Sequence, residues 1–298
     1  QFKYIIKGRS DEMNSRGILK MMIGLPGSGK SRFIKQHRLI DEVIVNSINS
    51  PEELEEIKEL LKQGKCIYYD DTNTTKEHRE YIIKELKPYT LFIKGIFVYK
   101  SLYQCYYWNS RREGQLSYEM IHNMYKNFNV PTLSEGFDSL VLEYDKEAEE
   151  HFYHRRFLDK ICNGELSLYD YHNFLKLTRN DDCIGVSQNS IHHTLSIDRH
   201  MYATYKKLIE YGTMNQNLLV ASVLHDIGKV ECIMVDEDGI HYHFPKHENV
   251  SAYLSIDTLN SLGMKKSNIL EIAGLIQNHM NPINDMGKLL QLADREAR

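Results

Sequence analysis

Several of the usual shortcuts to a function are missing from these 298 residues. No apolar run approaches the roughly 20 residues that a membrane-spanning helix needs, and no basic segment followed by a short apolar one announces a secretory signal. Charge of one sign is not in excess: 37 Lys and Arg against 41 Asp and Glu leave a net charge of −4. Bulk charge therefore does not announce a nucleic-acid partner, and any such surface would have to be a local basic patch. Cysteine is scarce. Cys66, Cys105, Cys162, Cys183 and Cys232 are dispersed and form no CxxC pair. That argues against a disulfide framework or a zinc knuckle and leads us to expect reduced thiols in a cytoplasmic protein with no membrane partner. Internal repeats and low-complexity tracts are lacking, and tryptophan occurs once. What is abundant is histidine: 14 residues, most of them in the C-terminal half, an asymmetry that favours metal chemistry there.

The length suits two domains of roughly 150 residues each, and the two halves are patterned differently. From Ile18 to about Asp145 short apolar runs alternate with helical periodicity. "ILKMMIG", "EVIVNSI", "KCIYYDD" and "LFIKGIFVY" read as strands, and "LSEGFDSLVLEYD" as a last one. "KSRFIKQHRL", "SPEELEEIKELLKQG" and "TKEHREYIIKELK" read as helices, the second with Ser50 as cap and Pro51 in its first turn. Such alternation is what a parallel α/β sheet produces. From "AEEHFYHRRFLDKIC" onward the chain reads as nearly all helical, interrupted by one hairpin signal, "MVDEDGIHYHF", with an Asp238-Gly239 turn. The expected organisation is an α/β domain over 1–145, a helical connector over 146–185 and an all-α domain over 186–298.

Within the first half, "GLPGSGKS" (Gly24 to Ser31) satisfies G-x-x-x-x-G-K-[ST] between a strand and a helix. Gly24, Gly27, Ser28 and Gly29 bring backbone N–H groups close to phosphate oxygens. Lys30 supplies a charge to the β- and γ-phosphates, and Ser31 a hydroxyl ligand for Mg²⁺. Asp70 and Asp71, ending the third strand, are candidates to hold the Mg²⁺ water shell or an acceptor hydroxyl; Asp71-Thr72-Asn73 reads equally well as a helix cap. "WNSRREG" places Arg111 and Arg112 on an expected lid helix, either to neutralise charge on a transferred phosphoryl group or as a solvated basic face.

Together, "GLPGSGKS", "DDTNTTKEHR", "WNSRREG" and "EMIHNMYKNFNVPTLSEGFD" resemble the kinase module of the polynucleotide kinase family, including phage-type 5′-hydroxyl kinases, over most of residues 18–145. The resemblance implies a P-loop kinase-like fold in which Lys30 and Ser31 bind ATP and Mg²⁺. Asp71 falls on the family's Asp-Thr-Asn aspartate and Arg112 on its lid arginine. One departure stands out. After the second strand the family carries a general-base aspartate, followed by an arginine, whereas this chain reads "VNSINSPEE", with Ile48 or Asn49 at that position. An amide cannot take a proton, so help worth on the order of 10²–10⁴ in rate would be lost. Either Asp70 or Asp71 substitutes, or the domain binds nucleotide and transfers poorly.

In the second half, "SVLHDIGKVEC" sets His225 beside Asp226 at the end of an apolar run. Two neighbours cannot surround an ion, so a metal site needs further donors from separate elements. His200 on an amphipathic helix, His247 at a helix entry, His279 at a helix end and Asp294 on the last helix offer them. Mixed His and Asp donors suit Mn²⁺, Fe²⁺, Co²⁺, Ni²⁺ or Zn²⁺ rather than a closed structural zinc. His241 and His243 share one face of the hairpin and either line the mouth of the site or are simply exposed. His192 and His193 are candidate outer donors or merely precede a helix.

This arrangement resembles the HD superfamily of metal-dependent phosphohydrolases, with its H…HD…D pattern, from about Val186 to Arg298. The resemblance implies an all-α HD-type domain. His200, His225, Asp226 and Asp294 would be core ligands, and His247 and His279 the additional ligands of members holding two metals. Asp226 would bridge the ions and Lys229 would contact substrate phosphate. The two resemblances in one chain imply nucleic-acid end healing, with RNA favoured over DNA. ATP-dependent 5′-hydroxyl phosphorylation would be joined to metal-dependent removal of 2′,3′-cyclic, 2′- or 3′-phosphates, preparing ends for a ligase. The alternative is an HD phosphohydrolase of free nucleotides gated by a kinase-like domain that binds ATP or GTP without transfer.

Overall fold

The computed structural model describes residues 16–144, 152–189, 194–237 and 239–297. The chain divides into two compact units, one of residues 1–125 and 131–145, the other of 126–130 and 146–298.

Unit one is an α/β sandwich. Its five strands, β1 (Gly17–Ile23), β2 (Val43–Val45), β3 (Cys66–Tyr69), β4 (Thr90–Val98) and β5 (Ser139–Glu143), are all parallel and lie in the order β2-β3-β1-β4-β5. Parallel strands require crossover connections that cover both faces, and β1 is accordingly apolar with Lys20 as its one charged residue. Leu19, Met21, Met22 and Ile23 are fully buried in it. The connection from β1 leads to one side of the sheet and that from β3 crosses to the other, so a crevice opens over the carboxyl end of β1. Helix α1 (Lys30–His37) starts at that crevice and is held down by Ile34, packed with Met22, Tyr68, Ile96 and Val98. Burial of one such side chain contributes about 1.5–3 kcal/mol.

Helix α2 (Pro51–Lys62) starts as its sequence predicts, with the Ser50 hydroxyl accepting from the Glu53 N–H and Pro51 where no hydrogen bond is lost. Helix α3 (Lys76–Leu86) is capped by Thr75. The cap reading of Asp71-Thr72-Asn73 is thereby corrected. Two further helices follow, α4 (Leu102–Asn109) and α5 (Tyr118–Lys126). The second strand is shorter than expected, and the stretch before β5 opens with a 3-10 turn over Leu133–Glu135.

Unit two is helical apart from a small hairpin. Its helices are α6 (Phe152–Cys162), α7 (Leu168–Leu177), α8 (Ile197–Glu210), α9 (Gln216–Ser222), α10 (His247–Ser261), α11 (Lys266–Gln277) and α12 (Asp285–Glu296). The hairpin pairs β6 (Met234–Val235) with β7 (Tyr242–His243). A 3-10 segment, Ile227–Cys232, follows α9 and presses on α10. Gly228 permits this approach, because a Cβ there would lie 2.5 Å from the Ser251 nitrogen. Its N–H donates to the Ser251 hydroxyl at 2.9 Å. Helix α12 packs on α8, and α11 on both α9 and α10. No described helix is long and apolar enough to cross a membrane.

Candidate functional sites

The P-loop lies in a cleft of about 420 Å³ over the end of β1, a size suited to a small molecule. Gly27, at φ 85°, seats the loop against α4: a Cβ there would fall 2.3 Å from the Cys105 carbonyl oxygen. The Lys30 ammonium is buried and donates to the carbonyls of Gly24 and Leu25, at 2.8 and 3.1 Å. Burial pushes its pKa down to about 8, against the pull of Asp70. The Ser28 hydroxyl is buried without a hydrogen-bond partner. Ser31 Oγ donates to Asp70 Oδ2 at 2.9 Å, so it is Asp70 that stands beside the P-loop hydroxyl. Asp71 also lines the cleft, but its carboxylate is tied up locally, accepting from the Thr72 N–H at 2.6 Å and the Tyr69 hydroxyl at 3.2 Å. Asn73 is structural: its amide donates to the Met22 carbonyl at 2.7 Å. A lysine beside backbone N–H groups, with a hydroxyl and carboxylate pair next to it, fits a nucleoside triphosphate with Mg²⁺.

The expected lid helix is corrected. Helix α4 stops at Asn109, whose buried amide donates to the Leu116 carbonyl and accepts from the Leu116 N–H, closing the loop between them. Arg111 and Arg112 therefore lie in that loop, past the helix. Arg112 lines the cleft, whereas Arg111 stacks on the Tyr107 ring at 3.6 Å. Lys100, Trp108 and Leu116 line it too. Sequence reasoning did not assign them, and only the rarity of tryptophan could have drawn attention to one. Where the resemblance expected a base, the Asn49 N–H donates to Glu53 at 2.6 Å and its amide to the Ser47 carbonyl, so this stretch serves the entry to α2. The carboxylates lining the cleft are Asp70 and Asp71.

In unit two, His200, His225, Asp226, His247, His279 and Asp294 converge, though they come from α8, the turn after α9, the start of α10, the turn after α11 and α12. Each of the four imidazoles has Nδ1 against a backbone carbonyl. His225 meets Ser222 at 2.9 Å, His247 meets Phe244 at 2.8 Å, His279 meets Ile276 at 2.6 Å and His200 meets Ala297 at 3.0 Å. A carbonyl can only accept, so Nδ1 carries the proton, and Nε2 of a neutral ring turns a lone pair inward.

The Nε2 atoms fall into two sets about Asp226. Those of His200 and His225 lie 3.5 and 3.4 Å from Oδ2, and those of His247 and His279 lie 3.2 and 3.7 Å from Oδ1. Asp294 Oδ1 joins the first set, 2.7 Å from His200 and 3.5 Å from His225. His247 and His279 face each other at 3.3 Å, Nε2 to Nε2.

Acceptors crowded this way, in the dry interior, favour a cation among them. His225 Nε2 and both Asp226 oxygens are buried without a hydrogen-bond partner. The Lys229 ammonium forms an ion pair with Asp226 Oδ2 at 2.7 Å and donates a hydrogen bond to the buried Gln188 at 2.7 Å. Burial opposes ionisation of Asp226, yet Lys229 and His225 hold its carboxyl well below the usual range. Burial likewise opposes ionisation of Asp294, yet the adjoining His200 and His225 imidazoles hold its carboxyl below the usual range. Burial, and then His225, push His279 down to about 3, leaving it neutral. The pKa of His225 is raised against burial by Asp226 and Asp294, which would draw any cation to that spot. The donor set and its orphaned atoms fit one or two divalent transition metals.

Gln188, which steadies Lys229, carried no sequence signal. His243 is exposed and 2.7 Å from Asp236, outside the cluster. His192, His193 and Asp238 lie outside the described residues.

A family model described as "Chromatin associated protein KTI12" matches residues 48–247, more than half of the chain. The match begins after the P-loop and takes in Asp70, Asp71, Arg112, His200, His225, Asp226 and His247. No curated protein matches the sequence. The chain belongs to the KTI12 family, and its first unit is a P-loop kinase-like module.

Proposed function

We propose that this KTI12-family protein is a nucleic-acid end-healing enzyme acting on RNA in preference to DNA. Unit two is an HD-type phosphohydrolase that removes 2′,3′-cyclic, 2′- or 3′-phosphates, and unit one is an ATP-dependent 5′-hydroxyl kinase. The resulting ends suit a ligase acting afterwards. The observation that carries the reading is the set of four imidazoles, each fixed through Nδ1 and turned through Nε2 onto the two oxygens of Asp226. When bound, divalent metals supply Lewis acidity toward a phosphoryl group and a lowered pKa for water.

The chain's own residues do the rest. His200, His225 and Asp294 would hold one ion, His247 and His279 a second, and Asp226 both. Lys229, steadied by Gln188, keeps a positive charge at the rim of the cluster for a phosphate oxygen. In unit one Lys30 and the loop N–H groups cradle the phosphates, and Ser31 and Asp70 order the Mg²⁺ end. Arg112 brings positive charge to the transferred group. The family's printed description, chromatin association, is compatible with a nucleic-acid partner.

Incubation with Mn²⁺ or Co²⁺ and an RNA ending in a 2′,3′-cyclic phosphate tests the hydrolase. Phosphate release is expected; unchanged ends with no phosphate released would reject it. For the kinase, [γ-³²P]ATP should label a 5′-hydroxyl oligonucleotide, and Lys30→Ala should abolish the label. A second reading is favoured by Asn49, which offers no base: unit one binds nucleotide without transferring phosphate and regulates hydrolysis of free nucleotides. Saturable ATP binding without any label on the oligonucleotide would select it.

A further inference from the structure

We infer that Asp71, Tyr69 and His78 form a proton relay that takes the place of the general base missing at Ile48 and Asn49. Asp71 is the group that meets the acceptor hydroxyl, and the inference rests on the kinase reading of unit one. Of the two carboxylates lining the cleft, Asp70 accepts from Ser31, which leaves Asp71 for the acceptor. Asp71 is held at both oxygens: Oδ1 accepts from the Thr72 N–H at 2.6 Å and Oδ2 from the Tyr69 hydroxyl at 3.2 Å. Each carboxylate oxygen carries two lone pairs, so these bonds orient Asp71 and still leave it able to accept from the cleft.

The Tyr69 phenol, buried at the end of β3, also meets His78 Nε2 at 3.3 Å. His78 lies on the first turn of α3, its N–H donating to the capping Thr75 hydroxyl, and it is partly exposed. The phenol therefore joins a carboxylate of the cleft to an imidazole that reaches solvent. Its oxygen also accepts from the Ile48 N–H, so the network abuts the segment where the resemblance places an aspartate. In the transfer, the acceptor O–H bond breaks as its oxygen bonds the γ-phosphorus. The bond from that phosphorus to the bridging oxygen breaks too, releasing ADP. The proton passes to Asp71 and on to the Tyr69 oxygen, while the phenol's own proton moves to His78 Nε2. A phenol accepts and donates at once, and an imidazole with its hydrogen on Nδ1 accepts at Nε2. His78 returns the proton to solvent, and Asp71 is a carboxylate again.

Transfer from [γ-³²P]ATP to a 5′-hydroxyl oligonucleotide tests the relay. Asp71→Asn should lower kcat about 100-fold or more, and Tyr69→Phe and His78→Ala about ten-fold each. The KM for the oligonucleotide, ATP affinity by calorimetry and the melting temperature should stay near those of the wild type. Added imidazole should restore His78→Ala and leave Tyr69→Phe unchanged. Wild-type kcat in both Tyr69→Phe and His78→Ala would overturn the relay while leaving the kinase intact. A kcat loss matched by lost ATP affinity or a lowered melting temperature, with no rescue by imidazole, would overturn it in favour of a purely structural network. If the wild type binds ATP but labels no oligonucleotide, the kinase reading fails and the relay with it.

Discussion

In the P-loop cleft, the groups placed to meet a phosphate would come mainly from eight consecutive residues, and many are backbone N–H groups. In the histidine–aspartate cluster every inward group is a side chain, drawn from elements spread over residues 200–294. The first site is open, and its fit follows from a loop conformation that glycine allows. The second is buried, and its fit follows from how helices pack. The difference predicts different vulnerabilities: the cleft should tolerate loss of one side chain without losing its shape, whereas the cluster should fail as a unit.

The largest effect is expected at the atom both histidine sets share. Asp226→Asn should lower phosphate release from a 2′,3′-cyclic end by more than the 10- to 100-fold that loss of an outer metal partner costs, or about 100-fold and beyond. A loss under ten-fold would break the contrast, because the cluster would then not act as a unit. Next comes Lys30→Ala, which removes charge-assisted bonds worth about 1.5–3 kcal/mol each and should weaken ATP about 10- to 100-fold by calorimetry. Its melting temperature should stay near that of the wild type.

Gly228→Ala forces a Cβ toward the Ser251 nitrogen and the Val250 side chain and should destabilise unit two by about 1–3 kcal/mol in denaturant titration. The smallest effect is protonic. With a Lys30 pKa of about 8 in the free protein, added phosphate charge raises it, so ATP binding at pH 9 should take up nearly one proton. ATP affinity should accordingly fall as pH rises above 8. Calorimetry in buffers of different ionisation enthalpy measures the uptake, and Lys30→Arg should abolish it.

The same contrast explains what could be read in the chain. The P-loop was legible because its chemistry is contiguous and framed by a strand and a helix. The six cluster residues were legible as types at helix ends. Their common device was not: three histidines bond the carbonyl three residues earlier, while His200 uses Ala297. Arg111 and Arg112 read as helical because nothing in "WNSRREG" signals that Asn109 folds back on Leu116. Which neighbouring carboxylate, Asp70 or Asp71, would face Ser31 depended on how β3 ends, below what residue spacing resolves. Gln188 had no periodicity to betray it, and Asn49 was legible only as a missing carboxylate.

The central claim is that the buried cluster holds metal through Asp226. Elemental analysis after loading with Mn²⁺ and gel filtration tests it most directly. At least one bound ion per chain is predicted for the wild type, with a marked loss in Asp226→Asn. A wild type that retains no transition metal at any stoichiometry would contradict the account.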